Sequence, residues 1–303
     1  MSSSVLETLS NELAAAAEGV GESVLAVHAR RWLPSSGVYW RKGVVVTSHH
    51  AVTHTADITL VGEGGKPCKA TLVGRDPSTD LAVLKLAGEA ELALPAFADR
   101  AAKLGHIVLA LGRSRNHNLV ASAGIVGGVS GEWRTPRGGR LEQHIRLSLD
   151  LYPGFSGGPL VNAQGKVLGI NTQGLGRGRA LTVPLSTVNR TVDELLEKGH
   201  MARPYLGLAM QPVSLPESLR HQFASSVSSA LLVIHVEPSG PADKAGVLLG
   251  DLVTELRGKS VEGTENIREL LASDQPGSTV AVSVLRGGSP VKLSITLGEL
   301  PIR

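Results

Sequence analysis

The stretch Gly154-Phe155-Ser156-Gly157-Gly158-Pro159 limits the fold more than any other part of this 303-residue chain. Glycines on both sides of Ser156 allow backbone angles closed to other residues. They also leave room for a carbonyl group to reach backbone N–H donors. This is the build of a nucleophile turn. There a base takes the hydroxyl proton, and fixed dipoles receive the charge that develops on the attacked carbonyl. The residues after the serine decide which folds can hold it. In an α/β-hydrolase elbow a helix comes next and the histidine comes last in the chain. Here Pro159 comes almost at once. Leu160-Val161, the turn Asn162-Ala163-Gln164-Gly165 and Lys166-Val167-Leu168-Gly169-Ile170 then read as a β-hairpin. The histidines after Ser156 lie in segments with no other catalytic signature. The elbow is excluded, and a β-rich fold takes its place.

Two upstream segments offer the partners such a serine needs: Thr47-Ser48-His49-His50-Ala51-Val52 and Asp76-Pro77-Ser78-Thr79-Asp80-Leu81-Ala82-Val83. His49 and His50 are adjacent, so spacing alone leaves open which of them is the base. Asp80 stands at the mouth of the apolar run Leu81-Ala82-Val83-Leu84, as a buried orienting carboxylate requires. Asp76-Pro77 reads instead as a turn starter. The backbone N–H groups of Gly154 and Ser156 are the expected oxyanion donors. His49, His50 and His54 have no carboxylate or cysteine at a recognised ligand spacing, so no metal site is expected. The chemistry requires no cofactor.

Short Val/Leu/Ile runs separated by turn signals suit barrels or sandwiches. With three residues each of Trp, Tyr and Phe, the cores must be aliphatic. The length and a 42% hydrophobic content suffice for two modest domains. Residues 3–17 read as an amphipathic helix with Leu6, Leu9 and Leu13 on one side. A second helix, starting at Ser186 or Thr187, is expected to bury Val188, Val192, Leu195 and Leu196 and to stop at Gly199. That places the domains at 1–200 and 201–303. In the later one, Leu206–Met210, Ala230–Val236, Gly250–Leu256 and Thr279–Leu285 read as strands. Ile267, Leu270 and Leu271 share one face of a helix near 264–273. The net charge is only +3. The clusters Arg113-Ser114-Arg115, Arg134 to Arg140 and Arg177-Gly178-Arg179 lack interleaved aromatics, so they read as solvated loop tips and no nucleic-acid partner is expected. The lone Cys68 excludes an intramolecular disulfide. No apolar run reaches the ~18 residues of a membrane span. The N-terminus lacks the features of a signal peptide. A cytoplasmic location is therefore expected as written, and a periplasmic one if this is a mature form.

Together these segments resemble the HtrA/DegP family of trypsin-like serine proteases. Ser36-Gly37-Val38, the His50 segment, Gly74-Arg75-Asp76 through Leu86, and Gly154 to Asn171 match its protease domain. Arg203-Pro204-Tyr205-Leu206-Gly207-Leu208 and the hundred residues after it look like its PDZ domain. The resemblance implies a mainly β fold: a chymotrypsin-like double β-barrel followed by an α+β PDZ domain. It implies a serine endopeptidase that acts on unfolded or damaged proteins in quality control, with His50 as base, Asp80 as orienting carboxylate and Ser156 as nucleophile. The family's Thr-Asn-x-His-Val segment is what lands the base on His50. A peptide groove is implied as well. Tyr205, Leu206, Gly207 and Leu208 would hold a C-terminal carboxylate, with Ile267 and Leu271 on the facing helix. The family usually trimerises through an aromatic-bearing N-terminal segment, whereas residues 1–27 here contain no aromatic.

Two positions set this chain apart within the resemblance. Asp150 stands six residues before Ser156, where trypsin-like enzymes place a carboxylate that selects Arg or Lys before the scissile bond. The family more often has a small residue there and cleaves after small or branched aliphatic residues, beside a wall formed by the next residue, here Leu151. Phe155 replaces the usual Asn and offers no side-chain hydrogen bond. The expected consequence is an active-site loop poised between ordered and disordered states. The same residue supports the other functional class, a chaperone-like protein that binds peptides or unfolded chains with vestigial hydrolysis.

Overall fold

The runs Val44-Val45-Val46 and Leu81-Ala82-Val83-Leu84 lack the polar alternation of a half-exposed strand. The computed structural model gives the reason: both faces of these strands are covered. The structure describes residues 4–88, 92–176, 179–215, 229–271 and 274–300, in two compact units, Met1–Met201 and Ala202–Arg303.

In the first unit, β1 (Val24–His28), β2 (Ser35–Arg41), β3 (Val44–Ser48), β4 (Ile58–Val61), β5 (Pro67–Asp76) and β6 (Leu81–Leu86) close a barrel in the order β1-β2-β3-β6-β5-β4. Six further strands close a second barrel in the order β11-β14-β13-β12-β7-β8. They are β7 (Ile107–Arg113), β8 (Leu119–Ser130), β11 (His144–Ser148), β12 (Pro159–Asn162), β13 (Val167–Thr172) and β14 (Leu181–Pro184). A small ladder of β9 (Trp133–Arg134) and β10 (Arg140–Leu141) stands in the connection before β11. Successive side chains of a strand point to opposite faces. Tyr39, Val45, Ala82 and Leu84 therefore join Leu25, Val27, Ile58 and Leu60 inside the first barrel. Their neighbours Val38, Trp40, Val44, Val46, Leu81 and Val83 point the other way, into a core shared with Leu109, Leu111, Val161, Ile170 and Val183 of the second barrel. This shared core fixes the two barrels against each other.

Helix α1 (Val5–Gly21) is capped by Ser4, whose hydroxyl accepts the Glu7 N–H at 3.1 Å. It runs four residues beyond the expected end, because Ala16 and Val20 are drawn into the shared core. Helix α2 (Leu185–Lys198) ends at Gly199, which takes the left-handed conformation and donates its N–H to the Leu195 carbonyl. Val188, Val192 and Leu195 are buried as their spacing predicts, but Leu196 is 39% exposed. It lies just past the edge of the apolar stripe.

The second unit is a sheet in the order β16-β17-β18-β20-β21. Its strands are β16 (Leu208–Ser214), β17 (Ser229–Val236), β18 (Leu252–Leu256), β20 (Thr279–Arg286) and β21 (Ser289–Thr296). Short β19 (Lys259–Ser260) pairs with β18, and β15 (Pro204–Tyr205) pairs with β22 (Gly298–Glu299). Helices α3 (Pro241–Lys244) and α4 (Thr264–Leu271) cover its core of Leu206, Leu231, Val253, Ile267, Leu271, Val282 and Ile295. The strand expected at Leu206–Met210 begins two residues later, because Leu206 turns inward. The last two residues of the helix expected near 264–273 lie outside the described residues, as do Arg177 and Gly178 of the third basic cluster.

Candidate active site

Strand β3 ends at Ser48, and the tight turn His49–Ala51 comes next. That turn docks on Asp80 through main chain and side chain alike. The His49 N–H donates to the Asp80 carbonyl at 3.0 Å, and the His50 N–H donates to Asp80 Oδ1 at 3.0 Å. The His50 ring meets the same carboxylate, Nδ1 to Oδ2, at 2.7 Å. An ionised carboxylate only accepts, so Nδ1 carries the proton and a neutral ring presents Nε2 as an acceptor. Asp80 is fully buried, while the His50 side chain stays 30% exposed. A buried charge needs several partners, and Asp80 has a further one in the Thr172 hydroxyl at the end of β13. Thr172 is itself oriented by the Gly174 N–H, which donates to its oxygen at 2.8 Å.

The turn that delivers Asp80 is built by Asp76. Its carboxylate, also buried, accepts from the N–H and hydroxyl of Ser78 and from the N–H and hydroxyl of Thr79. Asp76 thus closes the turn on itself, and Asp80 faces the imidazole. Asp80 sits at φ 58°, a left-handed conformation that Asp tolerates better than most residues. Of the two adjacent histidines, His50 has its ring on the carboxylate. His49 has a buried Nδ1 without a partner, and burial pushes its pKa down.

Ser156 comes from the second barrel, on the loop before β12, and is 5% exposed. Gly157 presses that loop against the end of β3. A Cβ there would meet the Ser36 carbonyl oxygen at 2.1 Å, Thr47 Oγ1 at 2.5 Å and the Ser48 nitrogen at 2.9 Å. At φ 88° only glycine is comfortable. The serine turn is therefore seated two residues from His50, although Ser156 and His50 are not hydrogen-bonded to each other. Catalytic hydrogen bonds are often long without substrate. Gly154 stands at φ 104°, and the N–H groups of Gly154 and Ser156 donate to no other group among the described residues. Phe155 is buried with Leu151, Leu160 and Ala102, and its ring meets Tyr152 edge-on at 5.9 Å. Phe155 thus contributes apolar burial at a position where its side chain offers no hydrogen bond.

A cavity of about 580 Å³ is lined by Asp150, Leu151, Gln173, Ala180, Arg146 and Arg179 among others. Gln173 bridges it to the site, donating to the Leu151 carbonyl at 2.6 Å between Thr172 and Gly174. Leu151 is buried, whereas Asp150 is exposed, and Arg146 and Arg179 line the same cavity.

Sequence reasoning missed Thr172, Gly174, Ser36 and Arg113. Arg113 was expected on a solvated loop tip but is 3% exposed. Its guanidinium donates to the carbonyls of Val24, Gly21 and His117, which explains the burial.

In the second unit, β16 is an edge strand, and α4 packs beside it with Ile267 and Leu271 turned into the core. Tyr205 lies on β15 and Leu206 in the core, followed by Gly207 at φ 78°. The carbonyls of Leu206 and Gly207 accept from Ala242 and Glu237, each at 2.9 Å. Leu208 and Met210 of β16 lean on the same apolar cluster.

Residues 35–170 match the family described as a trypsin-like peptidase domain, and residues 204–297 match the PDZ domain family. Among curated proteins, the chain is 32% identical over 265 residues to a probable periplasmic serine endoprotease DegP-like of Rhizobium meliloti. That match covers 86% of this chain and 52% of the relative. It is 31% identical to the serine protease Do-like HtrB of Bacillus subtilis, over 86% of this chain and 61% of that protein. The chain thus spans roughly half to three-fifths of the length of these relatives. A solved structure, the serine endoprotease from Yersinia pestis, superposes with a TM-score of 0.69 at 27% identity, covering 96% of this chain and 98% of that one.

Proposed function

This chain belongs to the HtrA type of trypsin-like serine proteases that carry a PDZ domain, and from that premise we propose that it is a serine endopeptidase in which His50, Asp80 and Ser156 act as one unit. The observation that carries the reading is the His50–Asp80 pair, with the Ser156 turn seated against the strand that leads to it. His50 Nε2 takes the Ser156 proton as Oγ attacks the scissile carbonyl, and Asp80 steadies the imidazolium that forms. The free N–H groups of Gly154 and Ser156 receive the oxyanion. The leaving amine takes the proton from His50, and a water molecule then releases the acyl group by the same route in reverse.

The test is casein digestion by the purified chain. Ser156→Ala and His50→Ala should each lower turnover up to about a million-fold, with little further loss when combined. Asp80→Asn should cost about ten-thousand-fold through the wrong tautomer. Casein bound but uncut by the unmodified chain would favour the chaperone-like binding reading instead.

Substrates are proposed to be unfolded or misfolded chains, as the resemblance implies. For the residue before the scissile bond, small or branched aliphatic side chains are proposed, as the resemblance implies. Asp150 is exposed, and Arg146 and Arg179 line the same cavity. Cleavage-site profiling that shows cuts after Arg or Lys, abolished in Asp150→Ala, would reverse this. The PDZ unit is proposed to take apolar C-termini by strand addition to the free edge of β16, with Tyr205, Leu206, Gly207 and Leu208 at the carboxylate end and α4 along the side. Assembly into a homotrimer is proposed from the resemblance, and light scattering tests it. Among the described residues no helix is long and apolar enough to cross a membrane. The Rhizobium relative is named as periplasmic, which favours the periplasmic alternative over the cytoplasmic one.

A further inference from the structure

Ser36 lies on β2 of the first barrel with no exposed surface, yet its polar groups converge on the nucleophile turn of the second. Its N–H donates to the Ser156 carbonyl at 3.1 Å. Its hydroxyl donates to the Gly154 carbonyl at 2.7 Å and accepts the Arg113 N–H, from the end of β7, at 2.8 Å. Its own carbonyl accepts the Thr47 hydroxyl at 2.6 Å. A serine hydroxyl has one proton to give. With the Arg113 amide on one lone pair, that proton is directed at Gly154.

The consequence falls on the two free N–H groups. A buried N–H without a partner favours any rotation of its peptide that finds an acceptor. Holding the Gly154 carbonyl fixes the peptide plane that follows the Gly154 N–H and leaves that N–H only rotation about Gly154 itself, while the plane that carries the Ser156 N–H is fixed by its Phe155 carbonyl, which accepts the Gly158 N–H at 3.0 Å. Phe155, between them, is locked in the apolar core. We propose that Ser36 is a positioning residue for the oxyanion loop: the barrel that carries His50 and Asp80 reaches across with this hydroxyl to hold the Gly154 carbonyl, and so orients the Gly154 N–H beside it, while the Ser36 N–H steadies the Ser156 carbonyl. The inference rests on the reading of Ser156 as the nucleophile.

The experiment is steady-state kinetics of the full chain on a fluorogenic peptide, normalised to active sites titrated with a fluorophosphonate. Removing an oxyanion donor outright costs roughly a hundred- to a thousand-fold in kcat. Loosening the Gly154 donor in Ser36→Ala should cost about ten- to a hundred-fold in kcat per titrated site, with KM within about twofold. Affinity for a peptide boronic acid, which mimics the tetrahedral intermediate, should fall by the same factor. Ser36→Thr, which keeps the hydroxyl, should recover most of the loss. A merely structural role would lower the titratable fraction and leave kcat per site unchanged, and that result overturns the proposal. If Ser36→Ala fails to fold, Ser36→Cys keeps the volume with a weaker donor and carries the same comparison. An unmodified chain that turns over no substrate removes the underlying reading of Ser156. An active one with an unaffected Ser36 variant removes only this inference.

Discussion

Substituting Gly174 by alanine isolates the His50–Asp80 pair from the rest of the fold. Gly174 does not occupy the left-handed region, so alanine is allowed by its backbone. The added Cβ would stand 2.6 Å from Asp80 Oδ2 and 2.8 Å from His50 Nδ1, where ordinary contact begins at 3.4 Å. The pair must therefore yield by about 0.6 to 0.8 Å, the differences between those distances. Asp80 cannot move freely, because it also holds the His50 N–H and the Thr172 hydroxyl. The half-exposed His50 ring is the part that gives, and a 2.7 Å bond stretched by that much is broken. Misplacing a catalytic group by an ångström costs about a hundred-fold, and losing the correct tautomer about ten-thousand-fold. We expect kcat/KM to fall between these limits, about 3 to 5 kcal/mol of transition-state stabilisation. Asp80 keeps its other partners, so the folded state should lose only about 1 kcal/mol. The assay is kcat/KM on a fluorogenic peptide beside a thermal melt of the same preparation. Activity within threefold of the unmodified chain would refute the reasoning, and so would a collapse of folding that accounts for the loss.

Arg113→Met should lower the Tm of the first unit by roughly 6–20 °C, because the carbonyls of Val24, Gly21 and His117 lose their donor, about 3–5 kcal/mol in all at about 1–3 kcal/mol for a buried group left unsatisfied; a shift below about 3 °C in calorimetry contradicts this. Asp251, 1% exposed, is held below the ordinary carboxylate value of 3.8: its burial pushes up, but hydrogen bonds from Arg286 and the Leu248 N–H and the Arg286 charge outweigh it. A depressed folded pKa stabilises above 3.8 and is lost as pH falls through the lower folded value. Asp251→Asn should therefore flatten the acid limb of the second unit's stability profile, measured by urea melts. Gly19→Ala on the exposed side of α1, with nothing within 4 Å of the new Cβ, should stabilise by up to about 1 kcal/mol and leave kcat/KM unchanged. Calorimetry on the full-length Ser156→Ala chain should detect peptides with apolar C-termini, and a Leu208→Lys change should abolish the heat.

The two barrels were legible because turn signals and apolar runs repeat at short spacing. The unbroken runs at Val44–Val46 and Leu81–Leu84 carried more information than they disclosed. Periodicity alone does not say that one residue faces a barrel interior and the next a core shared with the other barrel. Helix α2 was legible for a local reason, since Gly199 and the Val188, Val192, Leu195 spacing mark its end and its buried face. Leu196 was misread because one position decides between stripe and rim. Arg113 was misread because Arg-Ser-Arg looks solvated until the carbonyls of Gly21, Val24 and His117 are brought around it by folding.

The site shows the same division more sharply. The candidates Asp80 and Ser156 stand in local segments whose composition points to them, while in the sequence the choice of His50 over His49 rests on the resemblance alone. The residues that hold those three in place carry no such local signal. Thr172 reaches Asp80 across 92 residues of sequence, and Ser36 reaches Gly154 across 118. At either position the side chain is an ordinary small polar residue in a strand. Phe155 makes the physical point. A sequence argument asks what hydrogen bond its side chain offers, finds none, and expects a loose loop. The structure meets the same need by two other means, burial of the ring and a serine from the opposite barrel that holds both flanking carbonyls. Anchoring is a property of the peptide planes and not of the residue between them. Casein turnover and the Ser36 variants, and not the missing side-chain hydrogen bond, therefore decide what Phe155 means for catalysis.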